Sequence, residues 1–258
     1  MTERFSLQDL HALLGVGLSV GDRGEVVAEW QRRIGCTASG LFDELTERAT
    51  RIWQTTQGLP VTGTVGREDW AAATNAADDK RALWMPASAT RFRVGRYVPP
   101  TLIVLHSTEG PICRGAARGV GAWWSQPPKA SRGEHPTSAH YVVDAEEIVQ
   151  CVRERDTAYA AGARGNRLGI HVELVGRAMS TDWLDGEGRR VFERAQALCV
   201  RMADRNSIPW EPVDLDGLLA GKGGLVTHAT VSAAWHESTH QDPGGPGDAR
   251  WPWGAFIG

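Results

Sequence analysis

The segment Leu225–Gly245, LVTHATVSAAWHESTHQDPGG, concentrates side chains that bind metal ions: His228, His236, His240 and Asp242. An Asp-Pro-Gly turn fixes the direction of the carboxylate. A catalytic zinc ion uses three protein ligands, such as neutral imidazole nitrogens and a carboxylate oxygen, and leaves one position open for water. This segment offers two of the three ligands, so a distant part of the chain has to provide the third.

His106 is the best candidate for that third ligand. It ends the apolar run TLIVLH, Thr101–His106, which is typical of a buried strand. The residues Ser-Thr-Glu-Gly that follow turn the chain, so we expect His106 at the end of a strand, where sheet proteins expose functional side chains. The residues alone leave an alternative, in which His106 is a hydrogen-bonded core histidine and the later histidines are spread over a surface loop.

Five short motifs in the second half of the chain favour the metal site: IVLHST, SAHYVVD, GIHVELVG, VTHATVS and HQDPG. In order and approximate spacing they resemble the zinc-dependent N-acetylmuramoyl-L-alanine amidases, a family that includes phage lysozyme-type amidases and peptidoglycan recognition proteins. The resemblance covers about Pro99–Phe256, and it rests on the agreement of all five motifs because each one alone is weak. It implies an α/β domain with a mixed central sheet flanked by helices, a zinc cofactor and a peptidoglycan substrate.

The same resemblance implies roles for individual residues. His106, His228 and Asp242 match the three zinc ligands of the family, and zinc lowers the pKa of a bound water toward about 7. Glu173, in GIHVELVG, matches the catalytic glutamate of the branch that recycles cell-wall fragments, so we expect it to act as general base. Strand alternation alone also allows an outward-facing Glu173. His240 stands where many relatives carry a lysine, and we expect it to stabilise the oxyanion.

The sequence departs from the family at two positions. Ala139 stands where relatives often have a catalytic tyrosine, which leaves one carboxylate as the only evident proton shuttle. Ala160 stands where many relatives have a histidine close to the substrate, so substrate preference is expected to differ. Of the other histidines, we expect His140 to be a core residue or to support the site, His236 to be a reserve ligand and His135 to lie at the surface.

Four residues are candidates for lining the substrate groove: Trp123, Trp124, Arg164 and Asn166. Aromatic faces pack on sugars, and polar groups bind the stem peptide. Tryptophan is equally common in protein cores, so the alternative is that Trp123 and Trp124 are buried core residues.

The regular elements that position these residues form the predicted domain at residues 98–258. The pattern predicts a hairpin over Ser138–Val152, a strand over Leu168–Val175, a helix over Arg190–Arg205 and a last strand over Leu225–His228. Strands interspersed with helices are typical of an α/β domain.

A separate domain is predicted at residues 1–75. An apolar stripe at Val26, Val27, Trp30 and Ile34 indicates a first helix that Gly35 ends. A second helix is expected to begin with Thr46 as N-cap and to bury Ala49, Ile52 and Trp53, and a third to lie near residues 68–73.

This three-helix bundle resembles the peptidoglycan-binding type 1 domain through the runs GDRGEVVAEWQ, GLFDELTERAT and WQTTQGLPVTGTVGREDW. The resemblance implies wall binding, and the alternative is a bundle that merely packs on the second domain. Residues 76–97 have mixed charge and no sustained period, so we interpret them as a linker in which Trp84, Met85 and Pro86 dock on a neighbour.

Composition narrows the class of protein. The 258 residues carry a formal net charge of -3 and 41% hydrophobic residues, which gives no electrostatic case for nucleic acid or an anionic membrane as partner. No run reaches the 18 or more apolar residues of a membrane span, and the N-terminal sequence lacks the pattern of a secretory signal, so we expect synthesis in the cytoplasm. The four cysteines form no CxxC pair, and the sequence does not decide whether Cys113 and Cys151 form a disulfide.

Together these observations predict a modular, monomeric cell-wall hydrolase. It would cut the amide between N-acetylmuramic acid and the L-alanine of the stem peptide, and its two-part build without a signal resembles a phage endolysin made in the host cytoplasm. Three alternatives remain: a bacterial autolysin, a non-catalytic peptidoglycan-binding protein on the same scaffold, and an amidase acting on soluble fragments.

Overall fold

A computed structural model describes residues 17–34, 36–57, 59–74, 77–245, 248 and 250–258. The N-terminal sequence before residue 17 and the helix-ending Gly35 lie outside the described residues. Contacts between residues divide the chain into two compact units, with the boundary between residues 76 and 77.

The first unit contains three helices around Trp30. They are α1 (Glu25–Ile34), α2 (Glu44–Gln57) and α3 (Arg67–Thr74). Trp30 is fully buried, and the rings of Trp53 and Trp70 meet it edge-on with centroids 5.1 and 5.2 Å away. These three rings pack in one apolar cluster with Leu18, Val27, Phe42 and Val65.

Helix α2 differs from the prediction in its cap and in its buried face. The cap is Asp43, whose Oδ1 accepts a hydrogen bond from the backbone N–H of Thr46 at 2.8 Å, because the helix begins two residues before Thr46. Ile52 is 59% exposed, whereas Thr50 and Gln54 are buried. The amide group of Gln54 forms hydrogen bonds with the backbone of the loop at residues 62–64. The buried face of α2 is therefore partly polar because it holds this loop in place.

The second unit is built on a six-stranded sheet, which confirms the predicted α/β fold class. Its strands are β1 (Ala82–Trp84), β3 (Leu102–Ser107), β4 (Tyr141–Val143), β5 (Ile148–Gln150), β7 (Gly169–Leu174) and β8 (Gly224–Thr227), and β2 (Phe92–Arg93) pairs with β6 (Thr157–Ala158) in a separate ladder. The order is β1-β5-β4-β7-β3-β8, with only the β4–β5 hairpin antiparallel. The helices are α4 (Ala116–Trp124), α5 (Gly162–Leu168), α6 (Gly186–Asn206), α7 (Leu215–Leu219), α8 (His228–Trp235) and α9 (Trp253–Ile257).

The described part of the segment predicted as a linker, residues 77–97, is part of the sheet domain instead. Its strand β1 pairs with β5 in parallel, and the backbone N–H groups of Met85 and Ala87 continue the pairing to the carbonyls of Gln150 and Cys151. The side chain of Asp79 is buried and forms an ion pair with Arg201 on α6 at 2.6 Å. Residues 77–97 therefore belong to the second unit.

The two faces of the sheet have different roles. Ile103, Leu105 and Ile170 pack with Val191 and Leu198 of α6 in the largest apolar cluster. Because side chains alternate along a strand, the neighbouring positions of β3 and β7 point to the opposite face. There α4 packs against β4 and β5, α8 packs beside β3 and β8, and polar residues of the two central strands lie in between.

Two further findings concern expectations from composition. Among the described helices, none combines the length and the hydropathy that crossing a bilayer requires. All four cysteines are free thiols, so Cys113 and Cys151 do not pair.

Candidate active site

Three elements bring one metal-binding side chain each to the same place. His106 is the fifth residue of β3, and His228 is the first residue of α8, directly after β8. Thr227 caps α8 by accepting the N–H of Thr230 at 3.2 Å, which fixes how the helix leaves the strand. Asp242 follows α8, and its backbone carbonyl accepts the N–H of Ala229 at 3.1 Å, so the loop is tied back onto the start of the helix.

The ligand atoms of these side chains converge in a buried cluster. The Nδ1 atoms of His106 and His228 are 3.0 Å apart, and they lie 3.6 and 3.3 Å from the carboxylate oxygens of Asp242. Tetrahedral zinc with bonds of 2.0–2.1 Å separates its ligand atoms by about 3.3 Å. The donor set of two imidazole nitrogens and one carboxylate therefore fits zinc in both chemistry and spacing.

The protonation of the cluster also suits a cation. Burial, and then the neighbouring His228, holds the pKa of His106 well below its ordinary value, so its imidazole is neutral. Burial alone would raise the pKa of Asp242, but hydrogen bonds from His228 and from the backbone of Ser107 outweigh it and lower that pKa. The backbone N–H of Ser107 also donates to Asp242 Oδ2 at 3.0 Å. A neutral imidazole and a carboxylate are the forms that bind metal.

Glu173 lies beside this cluster. It pairs with His106 in the register of β3 and β7, and it faces the same side of the sheet. Its Oε2 atom is buried and has no hydrogen-bond partner among the described residues. Burial, with repulsion from Asp242 and Glu109, raises the pKa of Glu173 to about 8. A carboxylate with a pKa close to neutrality can both accept and release a proton.

His240 lies at the solvent side of the cluster. Its ring stacks on His228 with centroids 4.7 Å apart, and its Nδ1 is 3.3 Å from Asp242 Oδ1. Its side chain is 66% exposed, so the imidazole can meet a bound molecule. His236 instead caps the C-terminus of α8 in a left-handed conformation, is exposed, and is not part of the ligand cluster.

Of the residues predicted to line the groove, Trp124 is buried, whereas Trp123 and Arg164 are exposed. Trp124 was wrongly predicted to line the groove, because it is 4% exposed and packs in the core between α4 and the sheet. Trp123 is 46% exposed and lies under the guanidinium of Arg91 at 4.8 Å. The side chain of Arg164 is exposed, and its backbone N–H donates to Glu237 at 2.8 Å.

Asn166 has a structural contact that its sequence position did not indicate. Its side-chain oxygen accepts the backbone N–H groups of Ala160 and Ala161, both at 2.8 Å. It therefore fixes the turn that precedes α5. Ala139 and His140 are both fully buried, which agrees with the expectation that His140 is a core residue or supports the site.

Three residues near the cluster were not singled out from the sequence. His171 contacts the far nitrogen of His106, and Ser238 Oγ lies 3.0 Å from Nε2 of His228. Glu109 adopts a left-handed φ of 55° and accepts hydrogen bonds from Ser107 Oγ and the N–H of Ala178. The spacing of His171 and Glu173, two residues apart on one strand, was the only signal available for any of them.

Comparisons with known proteins gave one family match and several similar solved structures. The family model for N-acetylmuramoyl-L-alanine amidase matches residues 96–245. Solved structures that align with the chain include PlyL, with 19% identity over 68% of this chain and 94% of that chain and a TM-score of 0.47. The catalytic domain of XlyA aligns with 21% identity over 67% and 95% at a TM-score of 0.47. The Staphylococcus aureus hydrolase AmiA aligns with 19% identity over 68% and 78% at a TM-score of 0.48. The comparison with curated proteins gave no match.

Proposed function

Since this chain belongs to the N-acetylmuramoyl-L-alanine amidase family, we propose that it is a zinc-dependent peptidoglycan hydrolase. It cuts the amide between the lactyl group of N-acetylmuramic acid and the L-alanine of the stem peptide. The observation that carries the zinc dependence is the convergence of His106, His228 and Asp242 beside Glu173. The spacing of the three ligand atoms and the buried carboxyl next to them support a hydrolytic centre rather than a purely binding surface.

In this proposal the metal is held by Nδ1 of both histidines and by the carboxylate of Asp242. When bound, zinc supplies a Lewis acid that polarises the scissile carbonyl and makes water easier to deprotonate. Glu173 takes the proton from the attacking water and passes it to the leaving amine of L-alanine, since its pKa lies close to neutrality. His240, at the exposed side of Asp242, donates a hydrogen bond to the oxyanion that develops on the carbonyl.

Digestion of purified sacculi tests the proposal. The wild-type protein is expected to release new L-alanine amino termini, to lose this activity in a strong chelator, and to regain it with zinc. Asp242→Asn is expected to weaken zinc binding, whereas Glu173→Gln is expected to bind zinc and remain inactive. His135→Ala, which removes an exposed imidazole, is the matched control and should keep full activity. Binding to sacculi without release of termini, or activity that survives the chelator, would contradict the proposal.

We further propose that the first unit holds the enzyme on the wall. The resemblance of its sequence to wall-binding domains supports this role, and α2 presents the exposed apolar residues Leu45 and Ile52 seven positions apart on one face. Leu45→Ser with Ile52→Ser is expected to reduce binding to intact sacculi and to leave hydrolysis of soluble muropeptides unchanged. Equal activity of the two proteins on sacculi would count against a wall-binding role for this face.

The two-part build also supports an endolysin-like role, in which the enzyme lyses a host from inside. Expression in a susceptible bacterium is expected to cause lysis only after the cytoplasmic membrane is permeabilised. Lysis without permeabilisation would favour an exported autolysin instead.

A further inference from the structure

The imidazole of His106 is contacted at both nitrogens. Nδ1 faces His228 and Asp242, and Nε2 lies 3.0 Å from Nδ1 of His171, one strand away on β7. Both rings are buried, with centroids 5.2 Å apart. The contact follows from register, because β3 and β7 pair Val104 with His171 and His106 with Glu173. His171 therefore sits behind the ligand ring, on the side away from the other two ligands.

The hydrogen atoms of this pair can be assigned from the ligand role of His106. A neutral imidazole that offers its Nδ1 lone pair to a metal carries its hydrogen on Nε2. That hydrogen points at Nδ1 of His171, which must then accept it. His171 consequently carries its own hydrogen on Nε2, which is buried against the backbone of Gly165. The contact therefore sets the tautomer of both rings.

His171 is itself held in place. Its backbone N–H donates to Nδ1 of His140 at 2.9 Å, and the His140 ring stacks on it with centroids 5.6 Å apart. Nε2 of His140 lies 3.2 Å from the carbonyl of Asp156. Gly169 leaves room for the ring, because a Cβ there would come within 3.0 Å of His171 Cε1 and 2.7 Å of a Val104 methyl. The surroundings fix the orientation of the imidazole as well as its position.

We propose that His171 is a positioning residue for the metal centre: its Nδ1 accepts the Nε2–H of His106 and so orients the ligand ring and its hydrogen for metal binding. This inference rests on the proposed function, since it requires His106 to be a ligand. The second ligand histidine has an equivalent partner, because Ser238 Oγ lies 3.0 Å from Nε2 of His228. Partners of this kind fix ring orientation and raise the basicity of the ligand, and their loss costs about 10- to 100-fold in metal affinity.

The affinity for zinc, measured by competition with a chromophoric chelator, tests the inference without reference to activity. His171→Leu removes the acceptor and is expected to weaken zinc binding about 10- to 100-fold. His171→Asn keeps an acceptor oxygen near the position of Nδ1 and is expected to restore most of the affinity. His135→Leu, a histidine-to-leucine change at an exposed position, is expected to bind zinc as the wild type does.

The outcomes separate the inference from the proposed function. Zinc binding by the wild type with equal affinity in His171→Leu would overturn the inference and leave the metal site intact. No zinc binding by the wild type would contradict both. Should His171→Leu fail to fold, nitrogen-15 NMR of the zinc-loaded wild type decides the question. A proton on Nε2 of His106 with coupling across the hydrogen bond to His171 supports the inference, and a proton on Nδ1 of His171 overturns it.

Discussion

The buried carboxyl of Glu173 should make the stability of the metal-free protein depend on pH in a way that Glu173→Gln removes. Burial first, and then the carboxylates of Asp242 and Glu109, raise the pKa of Glu173 from its ordinary value of 4.5 to about 8. Below pH 4.5 the group is protonated in both the folded and the unfolded chain, so it does not affect the balance. Between the two values the unfolded chain ionises while the folded protein stays protonated, so stability falls as the pH rises.

The size of the effect follows from the two pKa values. Each pH unit between them corresponds to about 1.36 kcal/mol, so the full loss is on the order of 5 kcal/mol by pH 8. Glutamine cannot ionise, so the free energy of unfolding of Glu173→Gln lacks this term. The difference between variant and wild type is therefore expected to grow in favour of the variant from pH 5 to pH 8, while contributions from other groups cancel.

Chemical denaturation in a chelator at pH 5, 6.5 and 8 measures this difference. The stability of Glu173→Gln relative to the wild type is expected to increase by more than about 2 kcal/mol between pH 5 and pH 8. The effect of the new amide itself is the same at each pH and does not enter this change. A difference that stays constant across the three pH values would refute the reasoning. Saturating zinc is expected to flatten the dependence, because a cation beside the carboxylate favours its ionised form.

Three further outcomes are expected. His240→Ala should lower kcat by about 10²–10³-fold because the donor to the oxyanion is lost, whereas His240→Lys should keep most of the activity, and steady-state kinetics of both variants checks this. Trp124→Ala should lower the free energy of unfolding by about 3–5 kcal/mol, while Trp123→Ala should change it little, as denaturant titration would reveal. Asn166→Ala should destabilise the protein by about 1–3 kcal/mol because two backbone N–H groups lose their acceptor. Asn166→Asp keeps an acceptor oxygen and should not destabilise it. An increase in the KM of Asn166→Ala without loss of stability would instead indicate a substrate contact.

The sheet that carries the site was accessible from the sequence because its central strands are long and apolar. The run that ends at His106 is apolar up to that residue, and the run that contains Glu173 is interrupted before it only by His171; both form buried parallel strands. The hairpin was signalled by two short apolar segments with a turn between them. The ligand set came from a family resemblance, since spacing alone cannot show which of several histidines point to one place.

Other features depend on contacts that sequence does not contain. Strand β1 has three residues, too few for a periodic pattern, and it forms only because β5 offers an edge 66 positions further along the chain. Trp123 and Trp124 are neighbours on one helix about 100° apart, so one faces the core and the other faces solvent, and composition cannot say which. The partnership of His106 and His171 required the register of two strands 65 residues apart.

The place of β1 in the sheet bears on how such enzymes can be recombined. A chimera that joins a foreign targeting module at residue 98 would remove the strand that covers β5 and expose a row of unpaired amide and carbonyl groups, which invites edge-to-edge association. The same cut would delete Asp79 and leave Arg201 on α6 without its buried counter-ion. A fusion point ahead of residue 77 keeps the sheet complete, so module exchange in this architecture depends on where the edge strand β1 begins.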